Sequence, residues 1–119
     1  MNNLDKDKRI LKEDKRIREL FKDLPKETLA LYDGLIRRAA YMRVALEDYE
    51  ADMIINGSTE FFTQSEKTDP YERERPVSAI YNRLIKNYQV VMKQLKDALP
   101  EQSTADASEE LLRFAVGKK

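Results

Sequence analysis

The chain has 119 residues, with 22 lysines and arginines against 22 aspartates and glutamates and no cysteine, histidine or tryptophan. Zero cysteine excludes disulfide frameworks, thiolate nucleophiles and cysteine-held metal centres, and zero histidine removes the commonest general base and metal ligand. What is left is one small domain whose charged fraction of 37%, with 3 glycines and 4 prolines, has the profile of long helices and points to an all-α, non-enzymatic protein.

No apolar run approaches the ~20 residues that span a bilayer, and the segment Met1 to Ile10 is polar where a signal peptide needs an apolar core. The expectation is a soluble protein of the cytoplasm without a membrane partner. A chain of this length buries only about two thirds of its unfolded surface, so long helices would expose apolar flank unless they pack on another copy.

From Leu4 to Leu24, Ile10, Ile17 and Leu24 recur at a spacing of seven, with Leu20 and Phe21 between them. This predicts an amphipathic helix with a narrow apolar seam. Its 8 cations against 6 carboxylates leave +2. The charges can form a solvated face held by neighbouring pairs, or a surface that meets phosphates. Leu24-Pro25-Lys26-Glu27 then marks a corner, because the residue before a proline is pushed out of the helical region.

Over residues 27–56, Tyr32, Leu35, Ala39, Met42, Leu46, Tyr49 and Met53 step by three and four up to the terminator Asn56-Gly57. Gly34, Ala39 and Ala40 form a small-residue patch where another helix can approach closely. Between Ser58 and Arg75 the periodicity disappears; Phe61, Phe62 and Tyr71 are too apolar for open water, which predicts an ordered excursion. Pro76 opens a third helix over 76–99, with Val77, Ile80, Tyr81, Leu84, Tyr88, Val91 and Leu95 as one seam. Ile85, Met92 and Leu99 run beside it as a second row, predicted to face another subunit. This segment carries Arg83, Lys86, Lys93 and Lys96 against Asp97, the most basic element of the chain.

After Pro100 a polar stretch leads to Ser108–Val116, a short amphipathic piece too small to hold a helix by itself. The fold expected is a long antiparallel helical hairpin (27–56 and 76–99) with an N-terminal amphipathic helix and a short C-terminal helix, oligomeric. Its regions are a basic helix over 1–24, an oligomerisation core over 25–100, and a linker with a docking tail over 101–119.

Chemistry is limited. Glu47 with Glu50 and Asp48 with Asp52 have a spacing that puts two carboxylates on one metal, but they lie off the seam and lack the inward Glu-x-x-His of a helical di-metal site. They read as a solvated acidic face. With no phosphate loop and no nucleophile elbow, no catalytic residue, metal or cofactor is assigned. A net charge of zero argues against a global field for nucleic acid, while the two basic helices leave room for a local track. The candidate DNA contacts are Lys8, Arg9, Lys12, Lys15 and Arg16, with Lys86 and Lys93 as a second set.

Within Pro76–Glu101, Tyr81, Asn82, Ile85, Lys86, Asn87, Tyr88, Lys93, Gln94, Leu95, Leu99 and Pro100 stand at the spacing found in small bacteriophage proteins, the terminase small subunits. Leu35, Ile36, Ala39, Ala40, Met42, Val44 and Leu46 also resemble that group's second helix, so the likeness covers about residues 20–101. The stretch from Ser58 to Arg75 departs from the pattern. The resemblance implies a non-enzymatic packaging factor in the infected bacterial cytoplasm, a homo-oligomeric ring that recognises double-stranded viral DNA and recruits the large terminase subunit, the ATPase and nuclease. From the residues alone, an α-helical oligomeric scaffold or regulator that binds only protein stays open beside it. No recognisable helix-turn-helix supports base-specific readout.

Tyr81, Asn82, Asn87 and Tyr88 read as structural groups at the edge of the seam. The cluster Leu111, Leu112, Phe114 and Val116 reads as a docking element for the large subunit, or as a lid folded back on the third helix. Deleting everything after Gln102 is expected to leave assembly and melting unchanged while abolishing capture by the large subunit; a truncated protein that aggregates or melts several degrees lower identifies a lid instead.

Overall fold

The computed structural model describes residues 3–99, so the linker and the docking cluster Leu111, Leu112, Phe114 and Val116 lie outside the described residues. Three helices and one hairpin follow in order: α1 (Asn3–Leu20), α2 (Lys26–Asn56), β1 (Thr59–Phe62), β2 (Tyr71–Glu74) and α3 (Pro76–Asp97). They form a rod of 65 × 29 × 25 Å. The three helices match the expectation of a mostly helical chain, to which the segment between α2 and α3 adds one small two-stranded sheet.

Local chemistry sets the boundaries. Helix α1 ends in a turn in which the Leu24 amide donates to the Phe21 carbonyl at 3.1 Å, and Pro25 stands as N-cap of α2 with φ −57° and ψ 150°. At the far end Gly57 takes φ 80° while its amide donates to the Met53 carbonyl at 2.8 Å, a left-handed stop that favours glycine. Pro76 occupies the first turn of α3.

The segment 58–75 pairs as an antiparallel hairpin with Thr59 opposite Glu74, Glu60 opposite Arg73, Phe61 opposite Glu72 and Phe62 opposite Tyr71. A lone two-stranded ribbon is marginal in water, so side chains must hold it. The Arg73 guanidinium lies 3.6 Å from the Phe62 ring centroid and bonds Glu60 at 2.7 Å, while Phe62 and Tyr71 meet edge to face at 6.0 Å. Its base is clamped by Arg75, which donates to the Gly57 carbonyl at 2.8 Å and to Asp52 of α2 at 3.1 Å. The buried Ser78 hydroxyl donates to the Ser58 carbonyl at 3.0 Å.

One core joins all three helices: Ile17 of α1 with Phe21 in the turn after it, Ile36, Ala39, Ala40 and Leu46 of α2, and Tyr88, Val91, Met92, Leu95 and Leu99 from α3 and its end. Two expectations are corrected here. The 1–24 segment, expected as a region apart from the 25–100 core, joins that core, because Ile17 and Phe21 are fully buried. Met92 and Leu99 are not left over for another subunit; with α1 in place the α3 stripe has two partners, so both residues are buried in this chain's own core and Ile85 packs against it. Of the small-residue patch, Ala39 and Ala40 are buried in the core, whereas Gly34 is half-buried with only the Arg38 side chain of its own helix beside it. Leu95→Ala is expected to lower unfolding stability by about 3 kcal/mol in a urea titration, whereas Gln94→Ala on the exposed side stays within about 0.5 kcal/mol.

Candidate nucleic-acid interface

Helix α1 buries Ile17, which turns the residues half a revolution away outward. Lys8, Lys12 and Lys15, stepping by four and three, are exposed on that outer face. No ion pair engages any of the three among the described residues. Arg9 and Arg16, placed in the same candidate set, are already engaged. Arg9 bonds Asp48 at 2.6 Å and Glu47 at 3.1 Å across the α1–α2 boundary, and Arg16 bonds Glu13 at 3.0 Å. Lys86 and Lys93 sit on the exposed side of α3; Lys93 lies 3.5 Å from Asp97.

Beside the lysine stripe a groove of about 390 Å³ runs between α1 and α2, lined by Arg9, Lys12, Glu13, Arg16, Arg43, Val44 and Glu47. At its floor is a cation that periodicity did not single out. Arg43 keeps only 6% of its side chain exposed and bonds Glu47 at 3.3 Å. Helix α3 supplies Tyr88, wholly buried in this junction. Burial pushes the Tyr88 hydroxyl up to about 12; Arg43 pulls the other way, and Glu13 adds to the rise. A buried arginine needs such partners, because an unpaired charge in the interior is costly.

The acidic pairs of α2 are not a solvated face. Glu47 and Asp48 hold Arg9, Glu50 accepts from the Tyr81 hydroxyl at 2.8 Å, and Asp52 holds Arg75 and accepts from the Asn56 side chain at 2.6 Å. Burial and then Glu50 push the Tyr81 hydroxyl up to about 12. Asn56 and Arg75 hold the Asp52 carboxyl below the usual range. The carboxylates spaced for a metal therefore face protein donors, and no cluster of three acidic residues suited to a metal occurs among the described residues. Tyr81 and Tyr88 bridge helices as expected of structural groups, while Asn82 and Asn87 are exposed and outside the seam.

Among the described residues no helix is long and apolar enough to cross a membrane. Comparison with protein-family models, curated proteins and solved structures finds no match to this chain.

The Tyr88 phenol is neutral in the fold up to about pH 12 but titrates near 10 once unfolded, so the stability it contributes is complete below pH 10 and lost as the pH rises towards 12. Wild-type protein should therefore lose about 2 kcal/mol more stability than Tyr88→Phe across that interval, read from urea unfolding at stepped pH. Equal losses in the two proteins would place Tyr88 in contact with water.

Proposed function

We propose that the chain is a self-assembling, non-enzymatic DNA-packaging factor of the terminase small-subunit kind. It binds duplex DNA through the outer face of α1 and delivers it to a larger subunit that carries the ATPase and nuclease. One observation carries the DNA part of this reading: Lys8, Lys12 and Lys15 form an outward row with no ion pair among the described residues, while Arg9, Arg18, Arg43, Arg73 and Arg75 are occupied by carboxylates. The row spans about 10 Å of helix, the rise of roughly three base pairs. Lysines on such a row meet phosphates and carry no base information, so the binding is sequence-tolerant. Lys12 and Arg16 also line the groove over Arg43, which adds cationic wall on one side of the row. The likeness of residues 20–101 to terminase small subunits supports the packaging role.

The alternative, a helical scaffold binding only protein, is favoured by one feature, the exposed apolar residues around the hairpin. Salt titration separates the two. A labelled duplex should bind the wild-type protein with affinity falling steeply as salt rises. Replacing Lys8, Lys12 and Lys15 together with glutamine should weaken binding tenfold or more and reduce the magnitude of the salt slope by roughly 2.7, the value for three phosphate contacts. Absence of binding at low salt leaves the protein-only scaffold as the function.

A further inference from the structure

The hairpin end of the rod carries apolar surface that the core does not use. Ile54 is 84% exposed, Ile55 80% and Phe61 76%. In the hairpin register Phe61 shares one face with Thr59, Glu72 and Glu74, and all four are exposed. That face therefore consists of one large aromatic flanked by two carboxylates. Glu72 accepts from the Thr59 hydroxyl at 3.1 Å, and neither carboxylate has an ion pair among the described residues.

A second surface has the opposite character. Along α3 the residues Arg83, Lys86, Val90 and Lys93 step by three, four and three on the side turned away from Tyr88, Met92 and Leu95. Val90 is 56% exposed, with a cation on either side of it in the row and Ile80 exposed near the row's start. This helix, expected to hold the oligomer through Ile85, Met92 and Leu99, has turned those residues inward and presents a different apolar and basic row outward.

We propose that these two surfaces dock on each other between copies of the chain: Phe61, Glu72 and Glu74 of one copy onto Val90 and its flanking Arg83, Lys86 and Lys93 of the next. The occupant follows from charge. Each surface repels its own copy, since carboxylates would face carboxylates or cations face cations, but each complements the other. The contact is therefore head to tail and not a two-fold dimer. A heterologous contact of this kind propagates into a closed ring or an open filament. It leaves the α1 lysine row open, and it assigns Lys86 and Lys93 to protein instead of DNA. The assignment rests on the self-association in the function proposed above and on nothing that concerns DNA.

Paired charge reversals test it. Glu72→Lys with Glu74→Lys, and separately Arg83→Glu with Lys86→Glu, should each weaken assembly at least tenfold by sedimentation at micromolar concentration. An equimolar mixture of the two variants should restore assembly, because each reversed surface then finds its complement on the other chain; restoration also shows that both variants are folded. A wild-type protein that is monomeric overturns both the self-association and this contact. Assembly indifferent to either reversal, or lost in both and not restored by mixing, overturns the contact alone. Because the chain has no cysteine, Phe61→Cys with Val90→Cys gives a second reading. Mild oxidation by copper–phenanthroline should yield a ladder of disulfide-linked multimers from the double variant and none from either single one. A single variant that crosslinks as strongly as the double one also overturns the head-to-tail arrangement.

Discussion

Helix α2 is the element on which both other helices depend, and its length governs the rest of the molecule. Its 31 residues exceed the 18 of α1 and the 22 of α3, so antiparallel partners cover it unevenly. Around Ile36–Leu46 it is flanked on both sides and most of its residues are buried. Its last turn, with Ile54 and Ile55, extends past that shelter. The chain closes this end with a polar clamp, Arg75 between Asp52 and the Gly57 carbonyl, and not with more core. The hairpin end of the rod is thus apolar and acidic.

Arginine and lysine divide the work. Arg9 and Arg18 tie α1 to α2 through Asp48 and Asp33, Arg43 fills the junction beneath Tyr88, Arg73 locks the two strands, and Arg75 fixes the hairpin base. A planar guanidinium serves two acceptors at once, which suits half-buried joints between elements. Lys8, Lys12, Lys15 and Lys86 remain on exposed faces, where a hydrated ammonium loses little by waiting for a partner. Among the residues just named the distinction separates cations that build the fold from cations on open faces, where Arg83 also lies, although the net charge of the chain is zero. Exposed pairs such as Lys22 with Glu19 and Lys93 with Asp97 contribute little to stability.

Much of the local structure is written in the sequence. Pro25, Gly57 and Pro76 mark helix boundaries because proline and glycine act on their own backbone and its nearest neighbours, and the steps of three and four from Tyr32 to Met53 mark a helix because periodicity is a local property. The strands were hidden for the opposite reason. Thr59–Phe62 and Tyr71–Glu74 have four residues each, and the pairing that stabilises them, Glu60 with Arg73 and Phe62 with Tyr71, spans a connection that no local pattern encodes.

Tertiary structure decided which of two apolar rows faces inward. Met92 and Leu99 are surplus against one partner helix and core against two, and nothing local states that α1 will be the second partner. It also decided that Arg9 is a structural tie while Lys8, its neighbour, is free: adjacent helix residues differ by about 100° in direction, and only the position of α2 determines which of them meets a carboxylate. By itself the sequence determined that the chain would be helical, where its long helices would end, and how many charges it would carry. Packing determined where those charges point, because that depends on the surfaces of elements distant in the chain.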